Sequence, residues 1–411
     1  MSDLWRPAPR TAAAEAAHAA AEADREARPD RYRLDPEHLA TVAARDPDDA
    51  NVFAPGWREG LEQYLASAAE DGRLNAIGTA MAASMAIGRL RAGAAMTRHR
   101  TEHGGCDLLP PIAIVGGWRT GTTFLFRLLA TDPRLRAPLP AELGDPVRMA
   151  GLDDAEQEAF IEAAGRAHDM LHVLNPELQA IHDSGPRLPE ECVLAMGTDL
   201  RSWGFSSTTR LDGYSRWLAG QDLSGTYERH RHVLEALDRG DGRRWVIKAP
   251  AHTAELTHLV ATFPDAVVVH LHRDVVETVA SGASLFATFR SMYSDEVDAA
   301  DVGRFQADQT ELWFRRAAAF RASPAGRAAT VVDVDYEHLV ADPAEVVTAV
   351  YAAADLEVPG DPQAFVDAYK DRNPRHAHGS HRYTAASFGL DEHELRERFS
   401  FLDDGIGEST R

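Results

Sequence analysis

Residues 112–123 read Ile-Ala-Ile-Val-Gly-Gly-Trp-Arg-Thr-Gly-Thr-Thr, and Phe-Leu-Phe-Arg-Leu-Leu-Ala continues the run to residue 130. Apolar residues come first, a glycine-rich turn follows, and an amphipathic segment ends the run. This order predicts a buried strand, a tight turn and the start of a helix. Such a turn directs backbone N–H groups and the positive end of a helix dipole at one point, so we expect an anion-binding loop here.

The spacing within this loop narrows the choice of anion. Gly116 and Gly121 flank four residues, and Thr122-Thr123 follow, which nearly fits the nucleotide-binding pattern G-x-x-x-x-G-K-[ST]. Thr122 stands where the pattern has a lysine that reaches the outer phosphates. Because that lysine is missing and Arg119 lies inside the loop instead, we expect a nucleotide with a different 5′ group rather than ATP or GTP.

Composition limits the class of protein. Of 411 residues, 44% are hydrophobic and 26% charged, as in ordinary globular proteins, and the formal net charge is −21. That charge argues against general nucleic-acid binding and against docking on an anionic membrane. Cys106 and Cys192 form no disulfide framework, which favours a cytoplasmic setting. The sequence has neither a signal-like N-terminus nor an apolar run long enough to predict a membrane span.

Secondary-structure patterns change near residue 110, where Pro110-Pro111 ends a helical region. Apolar runs resembling buried strands alternate with helical segments from there on, which predicts an α/β fold: a P-loop-like parallel sheet flanked by helices. These runs are 112–115, 245–248, 266–272 and 329–334. We expect four segments: a flexible or helical tail (1–30), a helical N-terminal region (31–109), the α/β core (110–358) and a C-terminal lid (359–411).

Ligands of parallel sheets bind beyond the carboxyl ends of the strands, and several polar residues stand at such ends. Arg273 follows the strand that carries His270 and His272, and Ser281 lies eight residues later in the next predicted helix. An arginine fork and a serine hydroxyl in these places suit one phosphate group. His270 and His272 share a strand face, and we interpret them as core or supporting residues rather than ligands.

Three residues are candidates for the catalytic groups. Lys248 ends a buried strand and suits charge on a leaving group. His252, four residues on, suits a general base because its ordinary pKa is near neutral. Glu142, in a proline-rich turn after the loop helix, is an equal contender for the base. Glu190-Glu191 are weaker candidates, since acidic residues also favour the start of a helix.

The stretch from Arg375 to Tyr383 reads Arg-His-Ala-His-Gly-Ser-His-Arg-Tyr. His376, His378 and His381 invite a metal interpretation, but no cysteine or carboxylate pattern supports it. We favour a basic lid over phosphates that includes Gly379 and Arg382.

Together these motifs resemble those of bacterial sulfotransferases that use 3′-phosphoadenosine 5′-phosphosulfate (PAPS), in the branch whose loop reads R-[ST]-G-T-T. Arg119-Thr-Gly-Thr-Thr resembles the loop that holds the 5′-phosphosulfate, and Arg273 with Ser281 repeats an Arg-x7-Ser pair on the 3′-phosphate. Lys248-Ala-Pro-Ala-His resembles the strand end with the lysine that faces the sulfuryl group. The resemblance spans most of residues 50–405.

The resemblance implies sulfuryl transfer from PAPS, without a metal, to a hydroxyl of a small-molecule, lipid or glycan acceptor. The donor would be bound by the loop, the Arg-x7-Ser pair and the lid; these residues are Arg119, Thr120, Gly121, Thr122, Thr123, Arg273, Ser281, Gly379 and Arg382. Two alternatives stay open: a P-loop small-molecule kinase, and a non-catalytic nucleotide-binding protein on the same fold.

Overall fold

A computed structural model describes residues 4–46, 49–181, 183–373 and 383–402. Strands in this part of the chain form one five-stranded sheet in the order β2-β3-β1-β4-β5, and every neighbouring pair is parallel. Their bounds are β1 Ile112–Gly116, β2 Leu135–Arg136, β3 Arg244–Lys248, β4 Val267–His272 and β5 Thr330–Asp335. The α/β class expected from the sequence is confirmed. The apolar runs in the sequence predicted four of these strands. The fifth, β2, has only two residues and no sequence pattern that indicates a strand.

Helices surround the sheet. Those before β1 are α1 Ala12–Ala27, α2 Pro36–Ala43, α3 Trp57–Glu70 and α4 Ala76–His103. Those between β1 and β3 are α5 Thr122–Leu129, α6 Pro140–Gly144, α7 Pro146–Ala150, α8 Asp154–Leu174, α9 Leu178–Ile181, α10 Phe205–Thr208, α11 Asp212–Leu218 and α12 Ser224–Leu237. The later ones are α13 Leu256–Thr262, α14 Val275–Tyr293, α15 Ala299–Ala322, α16 Pro324–Ala328, α17 Tyr336–Ala341, α18 Pro343–Ala353, α19 Pro362–Arg372 and α20 Glu392–Arg398.

Short 3₁₀ helices complete the described secondary structure. They are Pro29–Tyr32, Asp49–Asn51, Cys192–Leu194, Pro250–Glu255, Ala385–Phe388 and Ser400–Leu402. Among the described residues, no helix combines the length and the apolar character that a bilayer crossing requires.

The central strand β1 is buried on both faces, which explains why its sequence is apolar without alternation. Ala113 and Val115 pack into the larger core, with the N-terminal helices and α12. Ile112 and Ile114 pack into a second core with α5 and α18. Successive side chains of a strand point to opposite faces, so one strand contributes to both cores. The strand therefore holds its carboxyl end, and the loop that follows, in a fixed place.

Candidate active site

The loop after β1 has unusual backbone angles at both of its ends, and a glycine at each end makes these angles possible. Gly116 has φ +145° and Gly121 has φ +90°, values that side chains rarely allow. A Cβ at Gly121 would lie 2.5 Å from Leu339 Cδ2, so this position also needs the space. Arg119 has φ +59°, an uncommon angle for a residue with a side chain. The loop is a tight turn that leads directly into α5, which starts at Thr122.

Side chains brace the loop from inside and from a neighbouring segment. Thr120 Oγ1 donates to the carbonyl oxygen of Gly117 at 2.9 Å. Thr253, in the turn after β3, accepts from the backbone N–H of Gly116 at 2.9 Å. Gly117 packs so closely on α14 that a Cβ there would lie 2.4 Å from Thr278 Cγ2. These contacts hold the loop in one conformation.

Arg273 reaches this loop directly. Its Nη1 donates to the carbonyl oxygen of Arg119 at 2.9 Å, and its Nη2 donates to Glu277 Oε2 at 2.6 Å. The guanidinium lies over the Tyr336 ring, 4.2 Å from its centre. β4 pairs with β1 up to Gly116 and Leu271, so the strand ends stand side by side. The structure thus brings the end of β4 and the loop together.

Ser281 lies on the part of α14 that packs against the loop. It is buried, and a Cβ on the next residue, Gly282, would lie 2.4 Å from Trp118 Cδ1. Arg273 therefore contacts the loop directly, whereas Ser281 is buried on α14, the helix that meets the loop at Thr278 and Gly282.

Lys248 comes from β3, on the other side of β1. Its side chain is only 2% exposed. The ammonium group lies 3.3 Å from Thr123 Oγ1, in the first turn of α5, and 2.7 Å from Glu191 Oε1. Ordinary surface lysines keep their ammonium groups in water, so this buried placement needs the partner that Glu191 supplies.

Glu191 precedes the Cys192–Leu194 turn, and hydrogen bonds of the local backbone hold it there. Its backbone N–H donates to Glu190 Oε1 at 2.9 Å, and Glu190 N–H donates to the carbonyl oxygen of Pro138 at 3.0 Å. The Glu191 side chain is 19% exposed, so solvent or a ligand reaches it. The weaker sequence candidate is thus the carboxylate in contact with the strand-end lysine.

Glu142 lies within a different set of contacts. Its Oε1 accepts from Arg136 Nη2 at 2.7 Å, and its Oε2 accepts from the backbone N–H of Leu139 at 2.8 Å. Both side chains of the ion pair are less than a tenth exposed. Glu142 therefore holds a buried arginine and the first turn of α6.

His252 is completely buried in the turn after β3. Its Nδ1 lies 2.7 Å from the Tyr227 hydroxyl oxygen, and its ring centre is 5.7 Å from that of His230. Burial holds the pKa of His252 well below its usual value, and it lowers the pKa of His230 to about 4. His252 is therefore neutral at pH 7, within a histidine–tyrosine cluster.

Two arginines connect the loop and α5 to the segment after α9. Arg119 Nη1 donates to the carbonyl oxygen of Ile181 at 3.3 Å. Arg127 donates to Asp183 Oδ2 at 3.0 Å and to its carbonyl oxygen at 2.7 Å. These bonds place Ile181 and Asp183 beside the loop. Gly379 and Arg382, expected in a lid over the donor, lie outside the described residues, as do His376, His378 and His381.

Sequence reasoning missed two of these contacts. The Glu190-Glu191 pair was recognised, but nothing in its pattern showed that Glu191 meets a lysine 57 positions away. Thr253 carried no motif, although it directly follows the Lys248–His252 stretch and braces Gly116. Pairings over such separations come from the topology of the sheet rather than from local spacing.

Comparisons with known proteins identify the family and the fold. Residues 110–360 match the model of a sulfotransferase family. A solved sulfotransferase from Mycobacterium tuberculosis aligns at 26% identity and a TM-score of 0.73, covering 89% of this chain and 98% of that one. A sulfotransferase from Mycobacterium avium aligns at 22% identity and 0.77, covering 90% and 96%, which shows the shared fold. A search of curated proteins finds no match.

The α/β fold, with a glycine-rich loop after its central strand and basic residues at the adjoining strand ends, is shared with solved transferases. Since the family model covers more than half of the chain, this protein belongs to the sulfotransferase family, and it is a transferase enzyme.

Proposed function

We propose that the protein moves a sulfuryl group from PAPS to a hydroxyl group of a small-molecule, lipid or glycan acceptor. One observation carries the proposal: Arg273 is hydrogen bonded to the loop at the Arg119 carbonyl oxygen, 2.9 Å away. A donor with phosphate groups at both ends of its ribose needs an anion loop and a second basic site close by. The loop and the β4 end supply that pair.

The donor's 5′-phosphosulfate would bind the N–H groups of residues 119–123, with Arg119 and the start of α5. Arg273 and Ser281 would bind the 3′-phosphate, which ATP and GTP lack. An arginine fork gives directional, charge-assisted bonds to such a group. Gly379 and Arg382 would close over the phosphates as parts of the lid.

Lys248 would stabilise the charge that develops on the bridging oxygen as the sulfuryl group leaves. In this transfer the acceptor oxygen forms a bond to sulfur, and the bond from sulfur to the bridging oxygen breaks. The acceptor gives up its proton to a base, and adenosine 3′,5′-bisphosphate leaves. Positioning and electrostatics supply most of the rate in loose in-line transfers of this kind.

Glu142, His252 and Glu191 compete for the role of base, and the contacts favour Glu191. Both oxygens of Glu142 are engaged by Arg136 and a backbone N–H. His252 is fully buried and bonded to Tyr227. Glu191 is partly exposed and bonded to Lys248. When Lys248 turns towards the donor, the ion pair opens. The Glu191 carboxylate would then be free to take the proton from the acceptor hydroxyl.

The setting we propose is the cytoplasm, with no nucleic-acid partner. Both cysteines are free thiols, Cys106 exposed and Cys192 buried, which a reducing compartment preserves. The net charge of −21 opposes binding to nucleic acid, so the basic groups at the loop serve a small anion.

The test is an acceptor screen. Purified protein is incubated with PAPS and fractionated metabolites, and mass spectrometry looks for products that gain one sulfuryl group. A product that depends on both PAPS and the protein supports the proposal. Phosphorylated products formed with ATP and magnesium would favour the kinase, and donor binding without any product in the screen would favour the non-catalytic protein.

A further inference from the structure

A second cluster of titratable side chains lies between β4 and β5. His270 and His272 share one face of β4, and Asp333 stands on β5 directly opposite His270 in the register. One ligand atom from each of the three residues lies within 4.8 Å of the other two. Two imidazoles and a carboxylate form a donor set that zinc accepts in proteins.

The two histidine rings stand close together at the carboxyl end of β4. Their ring centres are 4.1 Å apart, which is close for two polar rings. His270 is 7% exposed, so its ring lies almost entirely out of the solvent.

Asp333 is already oriented by its neighbours. His272 Nε2 lies 2.8 Å from Asp333 Oδ1, and Arg321 on α15 donates to Oδ2 at 2.9 Å and to Oδ1 at 3.2 Å. The arginine would stay on Oδ2 while Oδ1 turns to the metal, in the manner of the supporting hydrogen bonds found around ligating carboxylates. Because Arg321 also pairs with Asp333 in the absence of metal, the cluster remains electrostatically balanced when empty.

We propose that His270, His272 and Asp333 form a zinc site with water as the fourth ligand. Zinc–nitrogen and zinc–oxygen bonds of about 2.0–2.2 Å separate tetrahedral ligand atoms by roughly 3.4 Å. Small rotations of these side chains reach that spacing from the present one. His272 and Asp333 are partly exposed, at 17% and 29%, which gives the ion an entry path and room for the water.

The site goes beyond sulfuryl transfer and is independent of it. Zinc here would tie β4 to β5 just before Arg273, so it would stabilise the fold at the strand end that carries this donor-binding arginine. By mass action, an ion that binds only the folded chain raises its melting temperature as the free ion concentration rises.

The experiment uses the full chain after treatment with EDTA and desalting. Titration calorimetry with Zn²⁺, and visible absorption with Co²⁺ as a spectroscopic substitute, should give one site per chain. His272→Asn and Asp333→Asn should each weaken Zn²⁺ binding by at least about tenfold, the lower range for loss of groups that support a site. His272→Asn changes a partly exposed ring, so we expect that variant to fold, and circular dichroism checks it.

Two control variants locate the ion. His338→Asn alters another histidine–carboxylate pair, 3.0 Å from Glu345, that has no second histidine in the described clusters. A variant with His376, His378 and His381 all changed to Asn removes the other histidine-rich stretch. Both should bind Zn²⁺ as the unmodified protein does. The proposal is overturned if no stoichiometric binding occurs, if His272→Asn binds normally, or if the triple variant is the one that loses the metal.

Discussion

Lys248 Nζ lies 2.7 Å from Glu191 Oε1, and the same ammonium group lies 3.3 Å from Thr123 Oγ1 at the start of α5. One buried cation therefore connects the start of α5 to a partly exposed carboxylate. In the proposed reaction this cation stabilises the leaving group and the carboxylate takes the proton. The ion pair thus links the two halves of the chemistry.

Glu191→Gln should lower turnover while leaving the donor site intact. Loss of a general base typically costs a factor of about 10²–10⁴ in rate. Binding of adenosine 3′,5′-bisphosphate, measured by calorimetry, should stay within about twofold, because the amide still accepts from Lys248. A variant with normal turnover would remove Glu191 from the base role and return it to His252 or Glu142.

Glu142→Gln should act on stability. Removing one partner of a buried ion pair leaves Arg136 uncompensated, at a cost of about 3 kcal/mol or more. Urea unfolding measures the change. Glu345→Gln, which alters an exposed pair with His338, is the control and should change stability by less than about 1 kcal/mol. If Glu142→Gln unfolds like the unmodified protein yet loses its turnover, Glu142 is the base after all.

Lys248→Met should reduce turnover far more than donor affinity. The thioether keeps much of the buried volume, but it provides no charge for the bridging oxygen, and such losses cost about 10²–10³ in rate. Single-turnover assays with PAPS and an identified acceptor measure the effect. Equal turnover in the variant and the unmodified protein would place the essential cation elsewhere.

Acid should destabilise the fold through the buried histidines. His230 has a pKa of about 4 in the folded protein against 6.5 for the free side chain, so the unfolded chain takes up the proton first. The contribution of neutral His230 to the free energy of unfolding is fully present above pH 6.5 and falls as the pH drops towards 4. Each pH unit in that window lowers the free energy of unfolding by about 1.4 kcal/mol, so the whole window lowers it by about 3 kcal/mol.

His230→Leu removes this titration and is the matched comparison. Urea unfolding at pH 7, 6 and 5 should show a smaller acid loss in the variant than in the unmodified protein. Identical losses would mean that His230 is not the group responsible. His252 also titrates low because it is buried, so a residual loss is expected in His230→Leu.

The sequence predicts a strand most clearly where the side chains of that strand are buried on both faces of the sheet. β1, β3 and β4 are buried on nearly every residue, and that double burial produces the continuous apolar runs that predicted them. β5 is partly exposed and still carries a β-branched run. β2 has only Leu135–Arg136 and pairs through its backbone, which no side-chain pattern records.

The site was predictable as far as strand ends and helix starts determine it. The sequence could place Gly116, Gly121 and Arg273 at one edge of the sheet because their positions follow from where strands end. The partners of Lys248 and Glu142 were not, since Glu191 and Arg136 meet them through packing. The same limit applies to Asp333, which reaches His270 only through the pairing of β4 with β5.

Calorimetric titration of adenosine 3′,5′-bisphosphate into the unmodified protein and Arg273→Ala tests the donor site most directly. The unmodified protein should bind the nucleotide without magnesium and in preference to ATP, and Arg273→Ala should lose about 2–4 kcal/mol of affinity, as loss of a charged contact does. Arg304→Ala, which removes an exposed arginine paired with Asp301, should bind normally. Equal affinity in Arg273→Ala and the unmodified protein would contradict the proposal that the loop and the β4 end hold one donor.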